Sequence, residues 1–583
     1  MFQRKTFGLF TQIWTEKKII QKSLFFLFVF LNLSLLTSCN KQEINIEKEN
    51  FEITDNTKYD VLVYGNELPA IAAAVYAKRV LGKDGKVVLV RRNTSTEPFG
   101  GLLTQGGLAY LDRNQVDKKL TPSSEFYKEF LKKAKVKVVS ADPVLVDRAL
   151  KEMLQEERIA VLHNSQLHAI LKNGLIDYLE VIERPLPADE AKQKDRSKNE
   201  IKEKSTNKII KAHSYIDATA NADLAMQMGL KYSIGFETLG FPDATLPVTP
   251  VFQTKGLSVK NLQRIEKSIL NNKPLMKEIK DKIEKEHDPE FANWLLKKID
   301  LPMYVGPDYI DVRSIAICVA YHLYRGKPFD FKHGFLFDRP NIAILREGNL
   351  AWNAFLYKFS SKEVMDIIQN GSKPSIEMIR ELDYFADWLN SFSENNSSTQ
   401  QIATIPPLQL YIRHSHNIID VKKPLTGRQM VEGGTNPKES VGTFSYYMDI
   451  RGGIDGYHGT MPKPTFNFGI EHALTQIPNL SVVGRCSGYY GLAPAAGRIL
   501  ELNTSIGSYV GAAAALAHIR SSNPISRTHS SESLKEQELI NKETYIHSIT
   551  SSEARKAIEK LTHKKVILQP IDLSKTTDLE NII

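Results

Sequence analysis

Residues 59 to 90 constrain the fold more than any other stretch. Tyr59-Asp60-Val61-Leu62-Val63-Tyr64-Gly65 is an apolar, β-branched-rich strand that ends in glycine. It runs straight into a small-residue helix, Ala70 to Arg79, and then a second strand, Lys86 to Val90. This is a compact β-α-β unit of about 30 residues, the context a nucleotide site needs. Glycine at the strand end permits the tight turn, and the helix N-terminus then points its N–H groups and positive dipole at a pyrophosphate. In G-x-G-x-x-G register the three positions are Gly65, Glu67 and Ala70. Alanine is allowed at the third. Glu67 places a side chain where backbone approaches phosphate, and Arg91 and Arg92 stand where a carboxylate would take a ribose hydroxyl, which suits a phosphate instead. Taken alone, the unit leaves a bare structural Rossmann element open.

A chain of 583 residues is too long for one core, so two or more joined domains are expected. The net charge of +9 includes a surplus of four in residues 1–38 (five Lys/Arg against Glu16), which leaves about +5 on the remainder. Basic residues are scattered among acids, so a nucleic-acid partner is not expected. Cys39, Cys318 and Cys486 show neither metal-ligand spacing nor a disulfide framework, and no metal is expected.

The amino terminus reads as an export segment. A basic stretch ending at Lys22 precedes an apolar run, Ser23 to Leu36, of signal-sequence length rather than membrane-span length. Leu36-Thr37-Ser38-Cys39 then looks like the lipobox of bacterial lipoproteins, in which the cysteine is lipidated. Lipid on Cys39 together with acylation of the new amino terminus gives stable membrane anchoring. An uncleaved signal anchor is the alternative. Asn40 is not the Asp that retains lipoproteins in the inner membrane, so the outer membrane is the expected site. Residues 39–57 read as a tether.

Further segments stand in order along the chain. Phe99-Gly100-Gly101-Leu102-Leu103-Thr104-Gln105-Gly106-Gly107-Leu108 is glycine-rich with apolar interleaving, and Ile209 to Asp223 is a strand leading into Asp217-Ala218-Thr219-Ala220-Asn221-Ala222-Asp223. Near the end stand Asn479 to Cys486 with Gly484-Arg485, then Gly497-Arg498-Ile499, then Gly507-Ser508-Tyr509-Val510-Gly511. Together these resemble the FAD-dependent oxidoreductase family, whose first motif often reads G-G-T-P-A-G-I. The resemblance implies an α/β protein: a Rossmann-like FAD-binding domain built from discontinuous segments, with an inserted α+β substrate or cap domain. The expected boundaries are 58–235 for the first FAD-binding part (with a charged loop at 185–208), 236–477 for the cap, 478–520 for the second part, and 521–583 for a small helical extension. By the same resemblance FAD contacts Gly65, Ala70, Arg91, Gly100, Gly101, Gly106, Gly107, Thr219, Asp223, Gly484, Arg485, Arg498, Gly507 and Gly511. The Gly507 to Gly511 stretch is expected to start a helix whose N–H groups face the flavin. Ala220 and Ala222 replace family glycines.

The cap is expected to open with one amphipathic charged helix, Val259 to Lys298. Within it, Tyr411-Ile412-Arg413 and Glu439 to Gly452 resemble family segments, with Arg451 where the family has histidine. Arg451, Arg498 and His458 are the candidate catalytic residues, since histidine titrates near neutrality and arginine suits an acidic substrate. Three functions remain open. One is a flavoenzyme moving a hydride from or to an organic substrate, which is glycan-related in one expectation because some family members carry polysaccharide-lyase labels. Another is a surface binding protein that lost FAD, favoured by Glu67, Arg91, Ala220 and Ala222. The last is NADP binding through Arg91 and Arg92.

Overall fold

A computed structural model describes residues 57–116, 119–183, 208–392, 401–454, 463–522 and 544–569. The export segment, Cys39, nearly all of the tether and of the charged loop, and His458 lie outside the described residues. Strand β1 (Thr57–Tyr64) leads through helix α1 (Leu68–Leu81) to β2 (Val87–Val90). Pro69 occupies the first turn of α1, where its missing N–H costs no hydrogen bond. Every residue from Leu68 to Ala77 is buried, so α1 is an interior helix rather than an amphipathic one. Helices α2 (Glu125–Lys133) and α3 (Pro143–Glu156) come next, capped by Ser124 and Asp142. They lead to β3 (Ala160–Leu162), the hairpin β4 (Ser165–Lys172) and β5 (Leu175–Glu183), then β6 (Lys208–Asp217) and the short α4 (Asp223–Gln227).

These strands form a sheet in the order β3-β2-β1-β6-β5-β4. The pairs from β3 to β6 are parallel and the β4–β5 hairpin is antiparallel. Such an order brings the carboxyl ends of β1 and β6 side by side, with Tyr64 opposite Asp217. In an open α/β sheet the ligand crevice lies outside those ends.

A second sheet starts with β7 (Phe252–Lys255). The expected single helix from Val259 to Lys298 is instead three: α5 (Val259–Asn271), α6 (Lys273–Glu286) and α7 (Pro289–Leu296). Pro274 and Pro289 stand in the first turns of α6 and α7, and Asn272 and Asp288 cap them. Proline cannot continue a preceding helix, which breaks the run twice. Beyond them lie β8 (Tyr304–Val305), β9 (Tyr309–Asp311), α8 (Ala316–Arg325), β10 (Phe335–Ile344), β11 (Leu350–Tyr357), α9 (Ile376–Asn390) and β12 (Ala403–Ile405). The strands pair antiparallel in the order β12-β7-β11-β10-β9-β8. An aromatic core of Phe252, Trp352, Phe355, Phe385 and Tyr321 holds the helices to this sheet. Beside it the buried Glu381 accepts from the Tyr321 hydroxyl at 2.6 Å and pairs with Arg325 at 2.9 Å.

The chain then rejoins the first sheet. Strand β13 (Leu480–Val482) lies parallel to β6, with Val482 opposite Asp217. Helices α10 (Leu500–Ser522) and α11 (Ser551–Thr562) complete the described chain. Residues from Leu425 to Leu474, expected within the cap, contribute Phe444, Phe466 and Phe468 to the core of the first domain instead. So do Ile546, Ile549, Ala554 and Ile558 of the extension.

Helix α10 begins at Leu500, so Gly507 and Gly511 lie in its interior and not, as expected, at a helix start. A Cβ on Gly507 would stand 2.4 Å from the Pro69 carbonyl oxygen, and one on Gly511 2.1 Å from that of Ala73. The two glycines let α10 press backbone to backbone against α1. Among the described residues no helix is long and apolar enough to cross a membrane.

Candidate functional site

Three loops meet at the carboxyl ends of β1, β6 and β13. Gly65 ends β1, and a Cβ there would meet the Ala218 carbonyl oxygen at 2.3 Å, so only glycine lets the turns after β1 and β6 touch. Ala70 lies behind the turn in α1, fully buried. Glu67 begins α1 without a side-chain cap. Its carboxylate crosses the cleft and accepts a hydrogen bond from Nη2 of Arg485, just beyond β13. The other arm of that guanidinium, Nη1, donates to the Ile412 carbonyl at 3.0 Å.

The glycine-rich loop closes the third side. Gly100 N donates to Asn66 O at 2.9 Å, and Gly106 N to Gly101 O at 3.1 Å. Gly101 has φ +45°, and a Cβ on it would stand 2.7 Å from Glu67 Cγ. The left-handed backbone and the Glu67 side chain lying across it both favour glycine at 101. Gly107 packs outward, its missing Cβ 2.6 Å from Val251 O at the edge of the second sheet. Between the loops remains a space of about 50 Å³, lined by Glu67, Leu102, Gly106, Ala220, Ile412 and Arg485 among others.

The turn after β6 is built by its own polar groups. Asp217 accepts from Leu224 N at 2.7 Å, Ala225 N at 3.1 Å and Thr219 Oγ1 at 2.7 Å, and Thr219 Oγ1 accepts from Asp223 N at 2.8 Å. Asp223 pairs with Arg92 at 3.2 Å, whose Nε donates to the Tyr64 hydroxyl at 2.9 Å. Thr219 and Asp223 thus shape the turn, and it is Ala220 and Asn221 that line the cleft. Burial, with the neighbouring Asp223 charge, pushes the Asp217 carboxyl up to about 6.

Arg91, expected to meet a phosphate, turns inward. It is fully buried, its Nη2 donates to the carbonyls of Thr94 at 3.1 Å, Glu97 at 2.7 Å and Pro98 at 3.3 Å, and its guanidinium lies 4.0 Å from the Phe99 ring centroid. Burial lowers it to about 10. Its place is to hold the 94–98 loop rather than a phosphate.

A second group of charges lies in the seam between the glycine loop and the second sheet. Arg498 is 8% exposed; its Nη1 donates to the Tyr411 hydroxyl at 2.7 Å and its Nη2 to Asp449 at 3.1 Å. Asp449 also accepts from Arg451 Nε at 2.9 Å, and Arg451 Nη1 reaches Asp338 at 2.8 Å. Arg498 Nε is buried with no partner among the described residues. Tyr411 shares a buried apolar cluster with Leu102, Leu108 and Val251, which joins this chain of charges to the glycine loop. Arg413 donates to Pro247 O at 2.6 Å, Thr249 Oγ1 at 2.7 Å and Asn353 Oδ1 at 3.2 Å, a cap-sheet anchor.

The electrostatics of the seam arise from burial and neighbours. Burial alone would raise Asp449, but Arg451 and Arg498 outweigh it and hold the carboxyl well below the usual range. Asp112, hydrogen-bonded to Tyr446, is pushed up by burial against the pull of Arg498. Burial, then Arg498 and Arg413, drive His414 down to about 3, so it is neutral at physiological pH. The buried Cys486 thiol is pushed up to about 12 and donates to Ala220 O at 2.9 Å, which makes it structural. Asp112 and Asp338 belong to no motif and were not foreseen. The one sequence signal for Asp112 is its place just beyond the glycine-rich loop.

A family model described as FAD dependent oxidoreductase matches residues 60–530. Among solved structures, the flavin-dependent brominase Bmp2 is 8% identical over 79% of this chain and 80% of its own, with a TM-score of 0.34. The p-nitrophenol 4-monooxygenase PnpA from Pseudomonas putida DLL-E4 is 10% identical over 88% and 91%, with a TM-score of 0.32. CtdE in complex with FAD is 8% identical over 87% and 99%, with a TM-score of 0.30. Likenesses of that size add nothing to the family match. No curated protein matches the chain.

Proposed function

Because the chain belongs to the FAD-dependent oxidoreductase family, we propose that it is an exported, lipid-anchored flavoenzyme that moves a hydride between FAD and an organic substrate in the seam beside the glycine loop. FAD is the family's cofactor, and the chemistry of the residues at the cleft suits its pyrophosphate, although the Glu67–Arg485 pair narrows the space to about 50 Å³. Helix α1 opens without a side-chain cap, leaving its positive end to the cleft. Gly484, at φ +124°, has nothing within 4 Å of where a Cβ would stand, and Arg485 supplies a cation with one arm already fixed. Arg485 and the start of α1 would hold the pyrophosphate, and the glycine loop would lie along the ring. Bound there, FAD supplies the hydride acceptor or donor.

The protein's own part lies in the seam. Arg498 and Arg451, aligned by Asp449, offer fixed positive charge to an anionic group or to charge developing during transfer. Asp112, whose carboxyl burial raises against the pull of Arg498, and the Tyr446 hydroxyl bonded to it are the groups to which we assign proton handling. The observation that carries this reading is the bond from buried Arg498 to Tyr411, which shares a buried apolar cluster with Leu102 and Leu108 of the glycine loop.

The test is a visible absorption spectrum of the full chain in mild detergent, before and after adding FAD. Flavin bands that bleach on reduction are expected, and they would justify a substrate screen beginning with glycan-related compounds. A folded, colourless chain indifferent to FAD would move the weight to a surface binding protein. That second reading is favoured by one observation, the Glu67–Arg485 pair that narrows the cleft. Anchoring is checked separately: labelled fatty acid is expected on the wild type and absent from Cys39→Ser, with the outer membrane as the destination. Equal labelling of both would rule out Cys39 as the lipid site.

A further inference from the structure

We propose that Glu67 is a built-in competitor for Arg485: its carboxylate takes the arm of the guanidinium that a cofactor phosphate needs, so FAD binds by exchanging partners with Glu67. This rests on the reading that FAD occupies the cleft. Glu67 stands at the second fingerprint position, where backbone normally approaches a pyrophosphate. Its side chain is neither folded into solvent nor used as a helix cap. It crosses Gly101 to reach Arg485, and both side chains are mostly buried, at 16% and 11% exposure.

The geometry of Arg485 makes the exchange simple. Nη1 stays with the Ile412 carbonyl, and Nη2 alone faces Glu67. An incoming phosphate can therefore replace one carboxylate on one arm without moving the arginine, through a single charge-assisted hydrogen bond from Nη2. Displaced, Glu67 loses the cation it pairs with and must move off Gly101, which opens the narrowed space. The pair thus keeps the cleft assembled before cofactor arrives and weakens the cofactor's grip afterwards.

The experiment uses the full chain in detergent, with FAD affinity read from quenching of flavin fluorescence. Glu67→Gln keeps the shape, removes the charge and is expected to bind FAD at least about tenfold more tightly, since roughly 1.4 kcal/mol of lost competition is a factor of ten. Arg485→Gln is expected to weaken binding by a similar factor or more. The double variant is expected to match Arg485→Gln alone, because Glu67 acts through the arginine. A gain from Glu67→Gln that persists undiminished without Arg485 would mean direct repulsion and overturn the exchange. Equal affinity of wild type and Glu67→Gln would overturn it too, while leaving the flavoprotein reading intact. If neither variant nor wild type binds FAD, both readings fail together. Should Glu67→Gln not fold, Glu67→Ala with inorganic pyrophosphate serves: pyrophosphate must raise its melting temperature more than that of wild type, and an equal rise would count against exchange.

Discussion

Asp449→Asn is expected to cost roughly 3 kcal/mol of stability, the low end of the range for removing one partner of a buried ion pair. Among the described residues this carboxylate is the acid bonded to both Arg498 and Arg451. Arg498 is buried, with its Nε already unpartnered, so losing the Asp449 charge leaves a desolvated guanidinium with only neutral acceptors. An asparagine keeps the volume, but one neutral amide oxygen replaces the carboxylate and its N–H₂ faces a guanidinium. By contrast Asp338→Asn removes a partner charge from Arg451, whose side chain is 55% exposed, and from the more distant Arg339 at 3.8 Å, and about 1 kcal/mol or less is expected. Urea unfolding of the three chains at neutral pH reads both values.

The same pair predicts a pH dependence of definite sign. The folded Asp449 carboxyl titrates below its unfolded value, so its contribution is complete above about pH 4 and fades as pH falls toward the folded value. The gap between wild type and Asp449→Asn should therefore be constant from pH 7 to about 5 and narrow below about 4. A gap that is absent at pH 7, or that widens in acid, would show that Asp449 is not the clamp on Arg498.

Much of the architecture is legible in the sequence because it depends on local pattern. The β1-α1-β2 unit arises from β-branched runs around a small-residue helix, and α11 falls within the small helical extension expected at 521–583. The features that escape a sequence reading depend on partners far along the chain. Glu67 reads locally as damage to a phosphate loop, and its meaning lies in Arg485, 418 residues away. Arg91 and Arg92 are indistinguishable as neighbours on a strand end, yet one turns into the core and the other pairs with Asp223. Asp112 and Asp338 carry no motif, and only the seam brings them to the arginines. The long charged stretch at 259–298 keeps a helical period across two prolines, so periodicity alone does not show the breaks.

Gly511 presents the sharpest conflict between local and tertiary reasoning, and Gly511→Ala resolves it by sign. In an exposed helix interior, alanine is favoured over glycine by about 1 kcal/mol, so propensity alone predicts a more stable protein. In α10 the new Cβ would stand 2.1 Å from Ala73 O, 2.8 Å from its carbonyl carbon and 2.9 Å from its Cα. All three are backbone atoms of α1 that no rotamer change can move. The helices must separate along a contact where both are fully buried, at a cost of several kcal/mol of lost packing, so a net loss of about 2–4 kcal/mol is expected in thermal or urea unfolding. Gly507→Ala presses on Pro69 O in the first turn of α1, beside Glu67, so it is expected to weaken FAD binding more than Gly511→Ala does. The double variant should cost less than the sum, because one helix shift relieves both clashes. A stabilised Gly511→Ala would mean that propensity outweighs the contact and that α1 is free to move, which would remove the structural reason for glycine at either position.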